Sequence, residues 1–451
     1  MYEKQLEQID RAIEASRAEL TQDIIKLIGI KSIKGAPEPG APFGRGPRKM
    51  LDAVLKMGRE EGFHPIEHTD AVISLALKEG QPDLGIWLHG DVVPEGTGWN
   101  FDPYHATEYK GCIIGRGATD NKGQLCAIFH LLKIFKDLGI SLKYNPALYV
   151  GSDEENGMRD ITGIPGDEAV KGFCNVCTSP RLSLVPDAGF PIGYGGKGSM
   201  TVTFRSKKPL NDLYIVAGQD SSPGKAVATS FGKSYITHSQ PRHSSNPDPN
   251  GNMITMLMEQ LLNRKETAEA DRPVLSFFKM LSLDIYGEQL GINVKTETMR
   301  PLTVFAQKIN TVNGYPTLTV NIRYPIEITH EEIVERLMLE AGKYGVEVID
   351  AHSIIKPYLN NEKWDIITRL TDIAKEITGN ERDSYTLNGG TYAHVLPNAL
   401  VYGINGCLRP EGFPSDRGSE HGNDELVSLD RLEEGMKVYA RALLALNDME
   451  W

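Results

Sequence analysis

Several apolar segments of the sequence are followed by histidine, aspartate or glutamate, the side chains that bind metal ions and transfer protons. A further acid, Asp120, follows the loop "GRGAT". One such position is ordinary, because strands often end in polar turns. Four of them in one chain indicate a shared site. The four are Leu84–Leu88 before His89 and Asp91, Ala147–Val150 before Glu154 and Glu155, Leu182–Val185 before Asp187, and Ala399–Gly403 before a loop with His421.

The residue types at these positions suit a pair of divalent metal ions. Imidazoles and carboxylates are donors that favour Zn²⁺ or Mn²⁺, with Co²⁺ as a further option, over metals that prefer thiolates. Five ligands exceed the needs of one tetrahedral ion, but they serve two ions if one carboxylate bridges. The alternative is a buried network of ion pairs and capping acids. The candidate ligands are His89, Asp120, Asp187, His421 and one of Glu154 and Glu155.

The remaining acids near these positions have predicted catalytic roles. A metal-bound imidazole is oriented when a carboxylate holds its other N–H, so Asp91 is predicted to orient His89. Gly90 between them is expected to let the backbone turn sharply. Adjacent side chains diverge, so one glutamate of the pair can bind metal while the other acts as general base. Glu154 is the better candidate base, with Glu155 as the ligand.

The elements that must position these residues follow an α/β pattern. Helical periodicity covers residues 3–28, 47–62, 361–378 and 430–447, and apolar strands lie between helices. In a parallel sheet, ligands bind beyond the carboxyl ends of the strands, where residues distant in sequence converge. We therefore predict an α/β catalytic domain with a mostly parallel sheet flanked by helices.

The pattern changes in the middle of the chain. The segments "SMTVTFRS" and "YPTLTVNIRYPI" alternate like antiparallel strands, and helices are predicted after them at about 250–263 and 330–343. This predicts an inserted α+β domain over residues 196–354, with residues 1–195 and 355–451 forming the catalytic domain. The glycine-rich "GYGGKG" before the insert is expected to be a flexible junction.

Composition limits the partners and the location. The chain has 451 residues, a net charge of −12 and five cysteines. The acidic balance argues against nucleic acid, and no apolar run approaches the roughly 20 residues of a membrane span. The charged N-terminal helix does not resemble a signal peptide, and the low cysteine number fits a reducing cytoplasm. We expect a cytoplasmic protein that acts on small molecules.

The motifs together resemble the two-metal aminoacylase, ArgE/DapE and carboxypeptidase G superfamily of metallopeptidases, in particular its peptidase V (Sapep-type) dipeptidase branch. The similar segments are "WLHGDVVPEGTGW", "GRGATDNKGQ", "GSDEENG", "VPDAGFPIGYGGKG", "GGTYAH" and "SEHGNDE". The resemblance implies that Asp120 bridges the two ions and that Glu154 is the base. It places His89 and Asp187 on one ion and Glu155 and His421 on the other. It also implies a cis peptide bond after Asp120.

The insert resembles the lid domain of the same superfamily. In "RHSSNPDPNGN", His243 would reach over the substrate and stabilise the oxyanion, the alternative being an ordinary surface histidine. A doubled lid that covers its own active site favours a monomer over a homodimer. Candidate substrate-binding residues are Gly390, Thr391 and His394.

Three departures from the family pattern bear on specificity. His394 stands where an arginine usually holds the substrate carboxylate, and Asn121 stands where a second aspartate is common. The lid segment "AGQDSSPGKA" is also atypical. Arg409 or Arg417 could supply a replacement cation, although surface positions are the alternative for both.

These observations predict a metal-dependent hydrolase that cleaves the amide bond of a dipeptide. Glu154 would take a proton from the attacking water and pass it to the leaving amine. One alternative is a deacylase that removes acetyl, succinyl or carbamoyl groups from amino acids. The alternative of another class is a binding protein that keeps the fold without the reaction.

Overall fold

A computed structural model describes residues 2–167, 170–211, 213–217, 225–230, 232–238, 252–404 and 406–451. The chain divides into two compact units. The first unit comprises Met1–Tyr194, Asn360–Tyr385 and Thr391–Trp451. The second comprises Gly195–Leu359 and Thr386–Gly390.

Helix α1 buries one apolar face with Ile9, Ile13, Leu20 and Ile24, whereas α3 is buried on nearly all sides. Most helices begin or end at residues that favour helix termini. Thr329 and Glu332 form a capping box at the start of α8, and Gly379 ends α9 with a positive φ of 65°. The helices are α1 (Glu3–Ile28), α2 (Arg45–Glu60), α3 (Gly123–Asp137), α4 (Arg159–Thr162), α5 (Phe173–Val176), α6 (Met253–Leu262), α7 (Arg272–Leu283), α8 (His330–Lys343), α9 (Trp364–Thr378) and α10 (Leu429–Leu446).

The strands form three sheets. They are β1 (His64–Thr69), β2 (Val72–Ala76), β3 (Leu84–His89), β4 (Thr107–Tyr109), β5 (Cys112–Ile114), β6 (Pro146–Gly151), β7 (Leu182–Val185), β8 (Ile192–Gly196), β9 (Gly198–Ser206), β10 (Leu213–Ala217), β11 (Lys225–Ser230), β12 (Lys233–His238), β13 (Thr303–Val312), β14 (Tyr315–Tyr324), β15 (Val346–Ile355), β16 (Tyr358–Leu359), β17 (Tyr385–Leu387), β18 (Ala399–Tyr402) and β19 (Leu426–Ser428).

The main sheet of the first unit is mixed. Its strand order is β1-β2-β6-β3-β7-β18-β8. The interior pairs β6–β3, β3–β7 and β7–β18 are parallel, and the flanking pairs are antiparallel. The α/β prediction is confirmed, and parallel pairing is confined to the centre. The two residues between β1 and β2 are too few for the crossover that a parallel pair requires.

The interior strands are apolar because both faces of the sheet are covered. Every residue of β3, β6 and β7 is buried. Their leucine and isoleucine side chains belong to one core that also includes apolar residues of α1, α2, α3, α9 and α10. Buried parallel strands are expected to be continuous apolar runs, which is how these three segments look in the sequence.

The second unit is an antiparallel sheet with its own core. Its strand order is β12-β11-β10-β13-β14-β9-β15, and all six pairs are antiparallel. Apolar residues of α6, α7 and α8 share a core with these strands. Helix α7 was not predicted. The predicted junction at residues 193–198 contains the boundary between the two units, after Tyr194, and lies almost entirely within β8 and β9.

Among the described residues, no helix is both long enough and apolar enough to cross a membrane.

Candidate metal centre

The central strands bring the predicted site residues to one edge of the sheet. His89 is the last residue of β3 and pairs in register with Gly151, the last residue of β6. Glu154 and Glu155 follow β6 within a short turn, and Asp187 follows β7, which is also parallel to β3. Because parallel strands end at the same edge, these side chains converge there.

Two groups of side chains have the composition of a metal site. The first ligand group is His89, Asp120 and Asp187, and the second ligand group is Asp120, Glu155 and His421. In each group one ligand atom from every residue lies within 4.8 Å of the others. All five sequence-predicted ligands are therefore brought together, in the pairing that the resemblance implied.

Asp120 is common to both ligand groups and directs one oxygen at each histidine. Its Oδ1 lies 3.0 Å from His89 Nε2, and its Oδ2 lies 3.0 Å from His421 Nε2. His421 Nε2 is also 3.1 Å from Glu155 Oε1. A carboxylate with one oxygen facing each of two imidazoles has the arrangement of a bridging ligand. The Asp120–Asn121 peptide bond is cis, as the resemblance implied.

Asp91 contacts His89 through both its main chain and its side chain. His89 Nδ1 lies 3.0 Å from the backbone carbonyl oxygen of Asp91, and the nearer carboxylate oxygen is 3.6 Å away. The carboxylate of Asp91 instead accepts the backbone N–H groups of Glu154 and Glu155, at 3.2 Å each. The buried Asp91 thus orients the imidazole through its main chain and the paired glutamates through its side chain.

The role expected for Gly90 is also different. Its backbone φ is not positive, so no left-handed turn requires glycine there. A Cβ atom at this position would lie 2.6 Å from Met50 Cγ. Glycine is needed because α2 packs closely against the end of β3.

Asn121, noted as a departure from the family pattern, contacts a candidate ligand. Its Nδ2 donates a hydrogen bond of 2.7 Å to Asp187 Oδ1. A second aspartate at this position could not donate that bond while ionised. The amide therefore holds Asp187 without adding negative charge to the site.

The electrostatics of the two groups favour a cation. Burial, reinforced by neighbouring carboxylates, raises the pKa of Asp187 well above its ordinary value, and burial likewise raises the pKa of Glu155. Burial by itself lowers the pKa of His421, but hydrogen bonds with Asp120 and Glu155 raise it to about 11. Crowded buried carboxylates that hold on to protons are stabilised when a metal ion supplies the positive charge.

Glu154 belongs to neither ligand group. Its side chain is buried, and burial together with the charge of Asp187 raises its pKa well above the ordinary value for glutamate. A buried carboxyl group beside the ligands that retains affinity for a proton suits the transfer of a proton to and from reacting groups.

The segment "GGTYAH" approaches the site through Tyr392, which was not among the predicted site residues. Thr391 is buried and caps the turn of residues 392–394, accepting the N–H of Ala393, and His394 contacts Thr391 in the same turn. The Tyr392 ring lies 6.4 Å from the His89 ring, and its hydroxyl donates to Asp160. Asp160 also accepts the N–H of Ser152 at 2.7 Å, just before the paired glutamates.

The remaining predicted residues contribute less to the described site. His243 and most of "AGQDSSPGKA" lie outside the described residues. Gly390 lies in a loop of the second unit. Arg417 pairs with the buried Asp424, and Arg409 Nε donates to the carbonyl oxygen of Arg417. Both arginines therefore have partners within the loop that carries His421.

The mixed α/β sheet and the two ligand groups with one shared carboxylate fit the class of metal-dependent hydrolases. Residues 86–445 match the model of "Peptidase family M20/M25/M40". The chain belongs to this family, and the predicted metallopeptidase resemblance is confirmed.

Relatives cover nearly the whole chain. "Putative dipeptidase YtjP" of Bacillus subtilis is 26% identical over 473 residues, which is 95% of this chain and 97% of the relative. A Staphylococcus haemolyticus protein, also named a putative dipeptidase, is 23% identical and covers 96% of this chain and 98% of its own length.

Solved structures share the fold at lower identity. Human carnosine dipeptidase 1 has a TM-score of 0.61 with 17% identity, covering 98% of this chain and 99% of its own. The Bacillus subtilis YxeP protein, described as a dinuclear metal-binding peptidase of the M20 family, has a TM-score of 0.53 with 11% identity, covering 97% and 100%.

Proposed function

We propose that the protein is a dipeptidase whose two ligand groups each bind a divalent metal ion, with Asp120 between them. Zn²⁺ and Mn²⁺ are the proposed ions, with Co²⁺ also suited, because the donors are imidazoles and carboxylates. The observation that carries the proposal is the position of Asp120, with one oxygen 3.0 Å from each histidine. A monomeric state and a cytoplasmic location remain part of the proposal.

The donor set supports metal binding over a purely structural ion-pair network. Such a network would balance charges, but four carboxylates gather around two imidazoles here: Asp120, Glu154, Glu155 and Asp187. Burying that excess of carboxylates without cations is costly. Two divalent ions would offset it.

When bound, the ions polarise the scissile carbonyl and make the attacking water more acidic. Glu154 then takes the proton from that water and delivers it to the leaving amine. Asp91 fixes the turn that carries Glu154 by accepting its backbone N–H. The high proton affinity of the buried Glu154 carboxylate suits both transfers. His243 remains a predicted oxyanion stabiliser.

The names of the relatives favour a dipeptide substrate over an N-acyl amino acid. A panel of free dipeptides assayed beside N-acetyl, N-succinyl and N-carbamoyl amino acids separates the two possibilities. We expect turnover of dipeptides to exceed that of every acylated amino acid. Preference for an acylated substrate would replace the dipeptidase proposal with deacylation.

The central test combines metal analysis with one substitution. We expect about two ions per chain, loss of activity on chelation and recovery on adding Zn²⁺ or Mn²⁺. Glu154→Gln should lower kcat by about 10²–10⁴-fold, because it removes the general base while leaving the ligands in place. Mass spectrometry of the metal content and steady-state kinetics on a dipeptide measure both effects.

A matched control is Glu347→Gln, on β15 of the second unit, where the carboxylate pairs with Arg205 at the surface. This variant should keep both the metal content and kcat. Near-normal turnover by Glu154→Gln would contradict its assigned role. A purified protein that binds metal but cleaves nothing in the panel would contradict the dipeptidase proposal.

A further inference from the structure

Arg116 and Glu425 form a fully buried ion pair next to the segments that carry Asp120 and His421. Arg116 and Glu425 are each 1% exposed, and Arg116 Nη1 lies 2.6 Å from Glu425 Oε2. Neither residue belongs to a ligand group. Burying an ion pair gives little net stability, because both charges lose their hydration. The contacts of this pair with the segments that carry Asp120 and His421 therefore indicate a role other than stability.

Glu425 fixes the turn that carries the shared ligand. Its two carboxylate oxygens accept the backbone N–H groups of Gly117, Thr119 and Asp120, at 3.1, 3.0 and 3.0 Å. With the bond from Arg116, four donors surround one carboxylate, which is about its full accepting capacity. The main chain of Asp120 is held by a side chain more than 300 positions away.

Arg116 connects the same turn to the loop of His421. Its Nη2 lies 3.3 Å from the carbonyl oxygen of His421 and 3.4 Å from that of Pro94. The guanidinium also lies over the Trp99 ring, 5.1 Å from its centroid. His421 has a φ of 59°, a left-handed conformation that its neighbours must maintain.

The opposite side of the His421 loop is anchored by the residue before Glu425. The buried Asp424 accepts the backbone N–H groups of Asn100 at 2.7 Å and Phe101 at 3.2 Å, and it pairs with Arg417. The two adjacent acids thus bind different segments. Only Glu425 reaches the Asp120 turn.

We propose that Arg116 and Glu425 are positioning residues that set the distance between Asp120 and His421, and thereby the metal affinity of the second ligand group. This inference rests on the proposed function, since it assumes that the groups bind ions. Two of the three ligands of the second group are held by the pair. In the first group the pair holds only Asp120, because β3 positions His89 and Asn121 holds Asp187.

The experiment compares metal affinities in three full-length variants. Glu425→Gln replaces one accepting oxygen with an NH₂ group, which cannot accept hydrogen bonds from the N–H donors around it. At least one of the hydrogen bonds that the Glu425 carboxylate accepts must therefore be lost. Arg116→Lys keeps the charge but replaces the planar fork with a single ammonium, which cannot bond to Glu425 and the His421 loop in the same way. The control is Asp284→Asn, a buried carboxylate that accepts three backbone N–H groups in the second unit.

Zn²⁺ affinity is measured by competition with a chromophoric chelator, and folding by thermal unfolding of the metal-free protein. The two groups are distinguished in Asp187→Asn and Glu155→Gln backgrounds, each of which removes a ligand that belongs to one group alone. We expect Glu425→Gln and Arg116→Lys to weaken the second group about 10–100-fold and the first group less. The control should bind both ions as the wild type does.

Each outcome has a defined meaning. Folded variants with wild-type affinity in the second group, or with equal losses in both groups, would overturn the inference while leaving the proposed function intact. A wild-type chain that binds no pair of ions would overturn the proposed function itself. If Glu425→Gln does not fold, the affinities of Arg116→Lys decide the question.

Discussion

The two ligand groups share Asp120 but depend on different kinds of support. In the first group, His89 ends the central strand β3 and its side chain is 1% exposed. In the second group, His421 lies in a loop and its side chain is 41% exposed. The first histidine is held by a sheet with apolar packing on both faces, and the second by a network of buried polar side chains.

The difference shows two ways in which one chain can hold similar ligands. A strand residue is located by main-chain pairing that continues along the whole sheet. A loop residue lacks such pairing, and its backbone groups must be satisfied by specific side chains. In this protein Asp91, Arg116, Asp424 and Glu425 meet that need for the loops around the site.

The largest effect is expected from the residue that the two groups share. Asp120→Asn keeps the size of the side chain but removes the charge that both ions would contact. We expect the variant to lose affinity in both groups and activity to fall by more than the roughly 100-fold typical of changes around a ligand. Metal content and kcat of the purified variant measure this.

Asn121→Asp provides a comparison at the neighbouring position, since it adds charge and loses the hydrogen bond to Asp187. Its effect should be smaller and concentrated in the first group. Retention of both ions by Asp120→Asn at wild-type affinity would mean that the groups do not share a ligand.

An intermediate effect is expected on the order in which the two ligand groups lose their metal ions. The His421 side chain is far more exposed than that of His89, so a chelator should reach the second group first. We expect metal removal in two steps, with the second group emptied before the first. Time-resolved metal analysis in limiting chelator, repeated with Glu155→Gln, measures the order.

In the Glu155→Gln variant the fast step should become faster still, while the slow step is unchanged. A single step in the wild type, or prior loss from the first group, would remove the distinction between sheet-borne and loop-borne ligands.

The smallest effect concerns the stability at low pH of the sheet that carries His89. His68 on β1 stacks on Tyr149 with ring centroids 5.1 Å apart, and Tyr149 stacks on Trp87 of β3 at 4.2 Å. Burial lowers the pKa of His68 from 6.5 to about 4. Between these values the unfolded chain binds a proton that the folded chain does not, so the free energy of unfolding should fall as the pH drops from about 6.5 to 4.

Urea unfolding of metal-free protein at several pH values tests this, with His68→Gln compared to the wild type. The difference in unfolding free energy between the two should change across that window and be constant above it. Ile66→Val, on the same strand, is the control, since it removes no titratable group, and should show no such window. An identical pH slope in wild type and His68→Gln would rule out this contribution.

The sequence predicted best those features that depend on local pattern. The apolar runs that became β3, β6 and β7 were visible because both of their faces are buried. Their ends then identified His89, the paired glutamates and Asp187, which the structure brings together. The periodicity of α1 followed from amphipathic spacing, and α8 spans the predicted residues 330–343.

Features that depend on distant contacts were missed. The bond from Asn121 to Asp187 and the pairing of Arg116 with Glu425 require segments to meet in three dimensions. The Asp91 carboxylate lies 3.6 Å from His89 Nδ1, as predicted, but the closer contact of that nitrogen is with the Asp91 backbone carbonyl oxygen. The antiparallel flanks of the sheet reflect connection length and strand order, which the apolar pattern alone does not specify.

Strand β18, residues 399–402, lies between β7 and β8 in the sheet, although it is synthesised some 200 residues after them. The sheet stays open at this place until that segment leaves the ribosome, and His421 arrives later still. In the proposed function, peptide cleavage therefore requires synthesis to have passed residue 421, and shorter nascent chains should be inert.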